Sequence, residues 1–342
     1  MTSLRSSVAG FETANPVWVG SSELTMDLAG ITACVDAGAG AVVAKSVNEV
    51  QAARDQLDIA DYAYLDDRLA PVDPVRSRFL FNRSGLAQST LDDWVRMLAE
   101  AEQYARARDS AVVGSITVAS AEGAAAIADR LWSVVEAVEL NVGAPHGREA
   151  ASGAVRQLTD GDAVAETVRA VRRVSDKPLI VKLPGTASDV VGLARSAVSA
   201  GADAVTLIGR FNGFVPDIDS YDPVLGSWGA IGGPWCLPLS LFAVSKAYRD
   251  PAVGVPLIGT NGARDADDVV RFLLSGACAV EVVDAVWVHG PAAITRLVAG
   301  VREHLERHGH TDVAEIVGAS AERARAYGEI APTGSRPEPW KR

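Results

Sequence analysis

Short runs of Val, Ile, Leu and Ala recur along the chain, separated by longer stretches whose apolar residues return every three to four positions. Eight runs read as strands, near Val17–Gly20, Ala41–Lys45, Ala111–Ile116, Ala137–Asn141, Leu179–Leu183, Ala204–Ile208, Pro256–Thr260 and Ala279–Val283. Each is almost continuously apolar instead of alternating, as strands covered on both faces of a parallel sheet are. The segments between them read as helices. Leu91–Arg106 gathers Trp94, Met97, Leu98 and Ala101 on one face. Asp189–Ala200 follows Thr186, and Thr186 with Asp189 resembles a capping pair. Asp265–Ser275 opens with Asp265, Asp267 and Asp268, acids that the helix dipole favours in a first turn. Ala292–His308 is long and ends in basic residues before Gly309.

Eight strands alternating with helices predict an α/β fold of one kind, a single (β/α)8 TIM barrel, over an open sheet. Two connections, 46–110 and 209–255, are too long for a simple unit, and Phe79–Asn82 in the first reads as part of a small hairpin excursion. Insertions of this size usually dress the C-terminal, ligand-facing end of a barrel. The barrel domain is expected over 1–330. Residues 331–342, with three prolines and four charges, read as an exposed tail.

Composition narrows the function. The chain has 342 residues, 48% hydrophobic and 22% charged, which excludes disorder as a whole. A net charge of −11 argues against nucleic acid as a partner. Cys34, Cys236 and Cys278 are too widely spaced for a disulfide framework or a zinc site, so no metal is predicted. The first sixteen residues lack a signal-peptide core, and no run approaches the ~20 apolar residues that span a bilayer. The expectation is a cytoplasmic protein acting on a small molecule, with neither nucleic acid nor membrane as partner.

In a barrel, residues just past the strand ends face the ligand. Here they are Gly20-Ser21-Ser22, Lys45-Ser46, Ser115 to Thr117, Asn141, Lys182, Gly209-Arg210, Gly259 to Gly262 and Val283-Asp284. The chain has only five lysines against 27 arginines, and Lys45 and Lys182 both end apolar strands. A lysine there needs an anionic partner, either a ligand or a barrel carboxylate, because an unpaired buried ammonium is costly. Gly259-Thr260-Asn261-Gly262-Ala263-Arg264 before an acidic helix start is a strand-turn-helix whose backbone amides suit a phosphate. Ala230-Ile231-Gly232-Gly233 is a second flexible stretch.

Several segments match one family in order. They are Asn15-Pro16 before the first strand, GAGAVVAKS (Gly38–Ser46), NRSGL (Asn82–Leu86), ELN (Glu139–Asn141), KPLIVKL (Lys177–Leu183), GADAV (Gly201–Val205), IGTNG (Ile258–Gly262) and SGA (Ser275–Ala277). From about Asn15 to Gly318 the chain resembles the dihydroorotate dehydrogenase family of FMN-dependent barrels. The resemblance implies a flavin-dependent oxidoreductase acting on CH–CH bonds, with FMN at the strand C-termini and commonly a homodimer. Carried over, Gly20, Ser21, Ser46 and Ser115 would lie along the flavin. Lys45 and Lys182 would sit at the ring's polar edge, and Asn141 would bridge flavin and substrate. Gly232, Gly233, Thr260, Asn261, Gly262 and Asp284 would approach the ribityl phosphate.

The chain also departs from the family pattern. Where the family has a Cys or Ser base followed by proline and asparagine, this sequence has Ala144-Pro145-His146, so the base is missing. Asn82, Gln88, His146 and Arg210 are the candidate substrate-facing residues. His146 is the candidate replacement acid/base, with an ordinary pKa of ~6.5, and Lys45, Asn141 and His146 form the expected catalytic set. Arg210 suits a substrate carboxylate. Val283-Asp284 replaces a Gly-Thr whose amides bind phosphate in the family. These changes predict an oxidoreductase for a small polar or anionic metabolite other than dihydroorotate, and suggest a specialised biosynthetic pathway as its setting. The alternatives are a non-redox lyase or hydrolase using Lys45, His146 and Asp284, and a non-catalytic binding subunit.

Overall fold

The computed structural model describes residues 2–50, 55–144 and 156–332, with scattered positions beyond. Fourteen strands lie among them, numbered here in chain order. They are β1 (Ser6–Val8), β2 (Phe11–Thr13), β3 (Val17–Val19), β4 (Ala41–Val43), β5 (Asp61–Leu65), β6 (Phe79–Arg83), β7 (Ala111–Thr117), β8 (Ala137–Asn141), β9 (Leu179–Lys182), β10 (Ala204–Leu207), β11 (Phe211–Gly213), β12 (Gly229–Gly232), β13 (Leu257–Thr260) and β14 (Ala277–Val282). Eight of them close a barrel in the order β3, β4, β7, β8, β9, β10, β13, β14, and every neighbouring pair is parallel. The eight expected strands are these eight, and the expected TIM barrel is the observed fold.

Side chains of successive strand residues point to opposite faces. Val17, Val19, Val42 and Val112 therefore pack outward against the helices, whereas Trp18, Ala41, Val43, Ala111, Val113, Ala137, Ile180, Ala204, Ile258 and Ala279 fill the interior. Burial on both faces is why the strands read as unbroken apolar runs. The antiparallel β1–β2 hairpin was not expected from the sequence. It brings Val8 and Phe11 onto the interior cluster, with the Phe11 and Trp18 rings 5.6 Å apart.

The helices keep their expected places, with one corrected cap. Leu91–Arg106 starts at Thr90, whose side chain accepts from Asp93 N, and Ala266–Leu274 starts at Asp265, which accepts from Asp268 N. The helix Val190–Ser199 is capped by Asp189 itself, which accepts from Gly192 N at 2.8 Å. Thr186 is not its cap, because the helix begins one residue after Asp189. The helix Ala292–Arg307 ends at its basic last turn.

The two long insertions build one structure. β5 pairs with β6, β6 with β12 and β12 with β11, giving a four-stranded antiparallel sheet at the barrel mouth. The expected excursion at Phe79–Asn82 is thus the centre of a sheet drawn from both connections. No helix among the described residues is long and apolar enough to cross a membrane.

Candidate active site at the barrel mouth

The same alternation that makes the apolar interior layer makes a polar layer above it. Two residues beyond Val113, Ala137, Ile180, Ala204 and Ala279 come Ser115, Glu139, Lys182, Thr206 and Glu281, all facing inward. Lys182 Nζ donates to Glu281 Oε2 and lies 3.5 Å from Glu139 Oε2. Thr206 Oγ1 donates to both carboxylates at 3.4 Å, and Ser115 Oγ donates to Glu139 at 3.3 Å. Burial, then the neighbouring Glu281, pushes the Glu139 carboxyl well above its ordinary pKa. Burial works to lower the Lys182 ammonium, but the two glutamates outweigh it and hold the group above its ordinary value. The network continues outward through Ser46 Oγ, 2.8 Å from Ser115 Oγ, to Ser21 Oγ at 3.3 Å.

Above this layer lies a cavity. Its walls enclose about 650 Å³, open solvent at the mouth included. The barrel supplies Ser21, Ser22, Glu23, Lys45, Glu281 and Val283, and the inserted sheet supplies Leu80, Asn82, Gly232 and Gly233. Lys45 Nζ donates to Glu23 Oε1 at 2.9 Å. Burial tends to raise the Glu23 carboxyl, yet Lys45, Tyr62 and the more distant Arg210 together keep it below its ordinary value. The Arg210 guanidinium donates to Asn82 Oδ1 and, at 3.2 Å, to Ser84 Oγ. Unlike Lys45, Lys182 and Arg264, it has no carboxylate at ion-pair distance among the described residues. Burial pulls its pKa down.

The far end of the cavity is framed by Gly232, Gly233, Asn261, Gly262, Ala263, Asp284 and Trp287. Asn261 and Gly262 both adopt positive φ, +68° and +125°. The backbone N–H groups of Gly262 and Ala263 have no hydrogen-bond partner among the described residues. Arg264 Nε donates to Asp284 Oδ2 at 2.6 Å and its Nη1 to Ser77 O at 2.7 Å. Asp284 is 8% exposed, and burial raises its pKa despite Arg264. Two buried oxygens in the wall, Ser22 Oγ and Asp284 Oδ1, have no partner. Buried polar atoms are rarely left so.

The structure gathers most of the residues singled out from the sequence. Ser21, Lys45, Asn82, Arg210, Gly232, Gly233, Asn261, Gly262 and Asp284 line the cavity. Gly20, Ser46, Ser115, Lys182 and Thr260 lie behind that wall. Lys182 meets the alternative stated for it, an internal ion pair, and Thr260 Oγ1 donates to Glu281 O at 3.2 Å. Asn141 turns its carbonyl to Gly143 N at 3.1 Å and does not line the cavity. Gln88 is corrected outright. It is exposed and donates to Asp58 at 2.8 Å, because the chain turns outward after the buried Leu86 and Ala87. His146 falls outside the described residues. Ala144 is buried in a small apolar cluster with Leu86 and Val50. Glu23, Ser84, Glu139, Glu281 and Trp287 were missed. Glu139 and Glu281 carried a signal, a charge at an inward position of an apolar strand. Glu23 and Trp287 become visible only once the fold brings them to Lys45 and Tyr62.

Comparison with known proteins agrees with the motif order. A family model described as "Dihydroorotate dehydrogenase" matches residues 3–305. Among curated relatives, the dihydroorotate dehydrogenase B (NAD(+)) catalytic subunit of Geotalea daltonii is 33% identical over 70% of this chain and 77% of its own length. The same-named subunit of Pyrococcus furiosus is 34% identical over 70% of this chain and 77% of its own. That of Porphyromonas gingivalis is 37% identical over 54% of this chain and 59% of its own.

Proposed function

The chain belongs to the dihydroorotate dehydrogenase family, the flavin-dependent oxidoreductases of CH–CH bonds, and from that premise we propose that it uses FMN to oxidise or reduce a small anionic metabolite other than dihydroorotate. The observation that carries this reading is the cavity. It opens at the C-terminal mouth of the barrel, has two buried oxygens without partners, and ends in the unpartnered amides of Gly262 and Ala263. Those amides fit the phosphate of FMN, and Arg264, which donates to Asp284 Oδ2, stands beside them. Ser21, Lys45, Gly232, Gly233, Asn261 and Gly262 would hold the cofactor, with Ser46, Ser115, Lys182 and Thr260 supporting them from behind. FMN, when bound, supplies the two-electron hydride chemistry.

The chain's own residues then have distinct tasks. Arg210 binds the substrate's carboxylate, since its guanidinium reaches the cavity without an acidic partner of its own. Asn82 and Ser84 hold that guanidinium in orientation. Lys45, fixed by Glu23, keeps a positive charge at the cavity wall. Asn141 orients the loop that follows β8. Oxidising a carbon–carbon bond also requires a proton to leave carbon. Ala144 cannot accept it, and its neighbours Leu86 and Val50 are apolar. The proton acceptor is His146, and the loss of the side chain at 144 is what sets the substrate apart from dihydroorotate.

A Schiff-base use of Lys45 is disfavoured by its ion pair with Glu23, which would have to be broken before the amine could attack a carbonyl. A homodimer belongs to the same proposal, and its mass in solution tests it. The decisive experiment is an absorption spectrum of the purified protein, then anaerobic mixing with dihydroorotate and with other small unsaturated or saturable acids. Flavin bands that dihydroorotate leaves unbleached and another acid bleaches are expected. A colourless protein that takes up no FMN overturns the cofactor reading, and rapid bleaching by dihydroorotate overturns the substrate reading.

A further inference from the structure

At the phosphate end of the cavity sits a group that a phosphate would ordinarily repel. Asp284 is more than nine-tenths buried, and its two oxygens are treated differently. Oδ2 receives Arg264 Nε at 2.6 Å, while Oδ1 is buried and has no donor among the described residues, in a residue that lines the cavity. A carboxylate oxygen in that state has lost its water without gaining a partner, which is costly. Beside it the amides of Gly262 and Ala263 are likewise without partners, but they are donors and call for an anion. An orphan acceptor next to orphan donors is contradictory for a fully ionised phosphate, which only accepts. The contradiction disappears if the acceptor carries a proton.

Resting on the FMN reading above, we propose that Asp284 binds the cofactor's phosphate as a neutral acid, its Oδ1–H donating to a phosphate oxygen while the Gly262 and Ala263 amides donate to the others. Binding is then coupled to uptake of one proton from solvent. The proton adds to Oδ1, no other bond changes, and it returns to water when the phosphate leaves. Burial already disfavours the charged form of Asp284, and an incoming phosphate disfavours it further. The charged and titratable groups that face Asp284 are Arg264 from the turn after β13, Tyr64 from β5 and His289 at the end of its own helix. Arg264 stays charged throughout and is tied also to Ser77 O and Oγ, so it keeps its place when Asp284 is neutral.

The test is the affinity of the apoprotein for FMN, read by quenching of free flavin fluorescence between pH 6 and pH 8, with riboflavin as the ligand lacking phosphate. Coupling to one proton weakens binding up to roughly tenfold per pH unit once Asp284 titrates. Wild-type protein is therefore expected to lose about 10–100-fold in FMN affinity over this range relative to Asp284→Asn, whose amide donates at every pH. Phosphate's own ionisation near pH ~6 is common to both proteins and cancels in that ratio. The riboflavin ratio is expected to stay flat. Asp284→Thr, a neutral donor of different shape, serves as the second variant should the asparagine protein fail to fold. If FMN binds and its pH profile is the same in wild type and variants, the proton coupling is wrong while the cofactor reading stands. If the folded wild type and variants bind no FMN at any pH, the cofactor reading falls and the proposal falls with it.

Discussion

Replacing Lys182 by Met removes the cation that stands between two buried carboxylates and leaves both behind. Glu139 is fully buried and Glu281 is 2% exposed, so neither can recover water. At 3.5 Å from Glu139, the Coulomb attraction is about 5 kcal/mol at an effective dielectric constant of 20, and the shorter contact to Glu281 is of the same order. Breaking a buried pair costs about 3–5 kcal/mol, because the remaining charge must stay uncompensated or take up a proton. That escape gives the prediction its pH dependence. Burial and Glu281 already raise the Glu139 carboxyl in the folded protein, and without Lys182, which lowers it, it rises further. A raised carboxyl contributes stability that is fully present below the unfolded value and is lost as pH climbs through the folded one.

The penalty of Lys182→Met is therefore expected to be small near pH 5, about 1–2 kcal/mol, and to reach about 3–5 kcal/mol at pH 8. Urea unfolding of wild type and variant apoprotein, followed by tryptophan fluorescence at the two pH values, measures it. Glu281→Gln is the control. It keeps one ion pair and removes one of two like charges, so it should lie within about 1 kcal/mol of wild type at pH 8. A loss under about 1 kcal/mol for Lys182→Met at pH 8, or the same loss at both pH values, would refute the account of this layer as held together by the Lys182 cation.

Three further substitutions test the cavity. Arg210→Gln removes the charged donor facing the cavity and should weaken binding of the anionic substrate by roughly 10–100-fold, a loss of about 1.5–3 kcal/mol, read as a rise in KM or a smaller ligand-induced thermal shift. Gly262→Ala must fit a side chain at φ +125° with its Cβ 2.6 Å from Leu237 Cα; a lower thermal midpoint, from about 2–5 kcal/mol of strain and overpacking, and loss of FMN affinity are expected. His146→Gln should lower kcat by roughly 10²–10⁴-fold, with FMN content unchanged.

The barrel was legible because its physics is local. A strand buried on both faces is mostly apolar along its length, and each of the eight is, apart from the polar layer near their C-terminal ends. The inserted sheet was not, because β6 pairs with β12 across almost 150 residues and neither segment says what it will meet. Gln88 shows the same limit from the other side. Its place two residues after the NRSGL motif suggested a pocket, but the fold turns its side chain to Asp58 and solvent.

The charges at the mouth carry the strongest lesson about the ligand. Two lysines at the ends of apolar strands seemed to announce an anionic molecule. Parity along the strands already offered a different answer for Lys182, since Glu139 and Glu281 share its inward face. In the folded protein Lys45 meets Glu23, Lys182 meets Glu281, and Arg264 meets Asp284. Three cations are thus balanced from within. Arg210 differs, being held by the neutral Asn82 and Ser84 and directed into the cavity. A guanidinium that the protein orients without a carboxylate at ion-pair distance among the described residues leaves room for a partner from outside. On the reading proposed above, the substrate's carboxylate would therefore meet Arg210, on the insertion, before the lysines of the barrel.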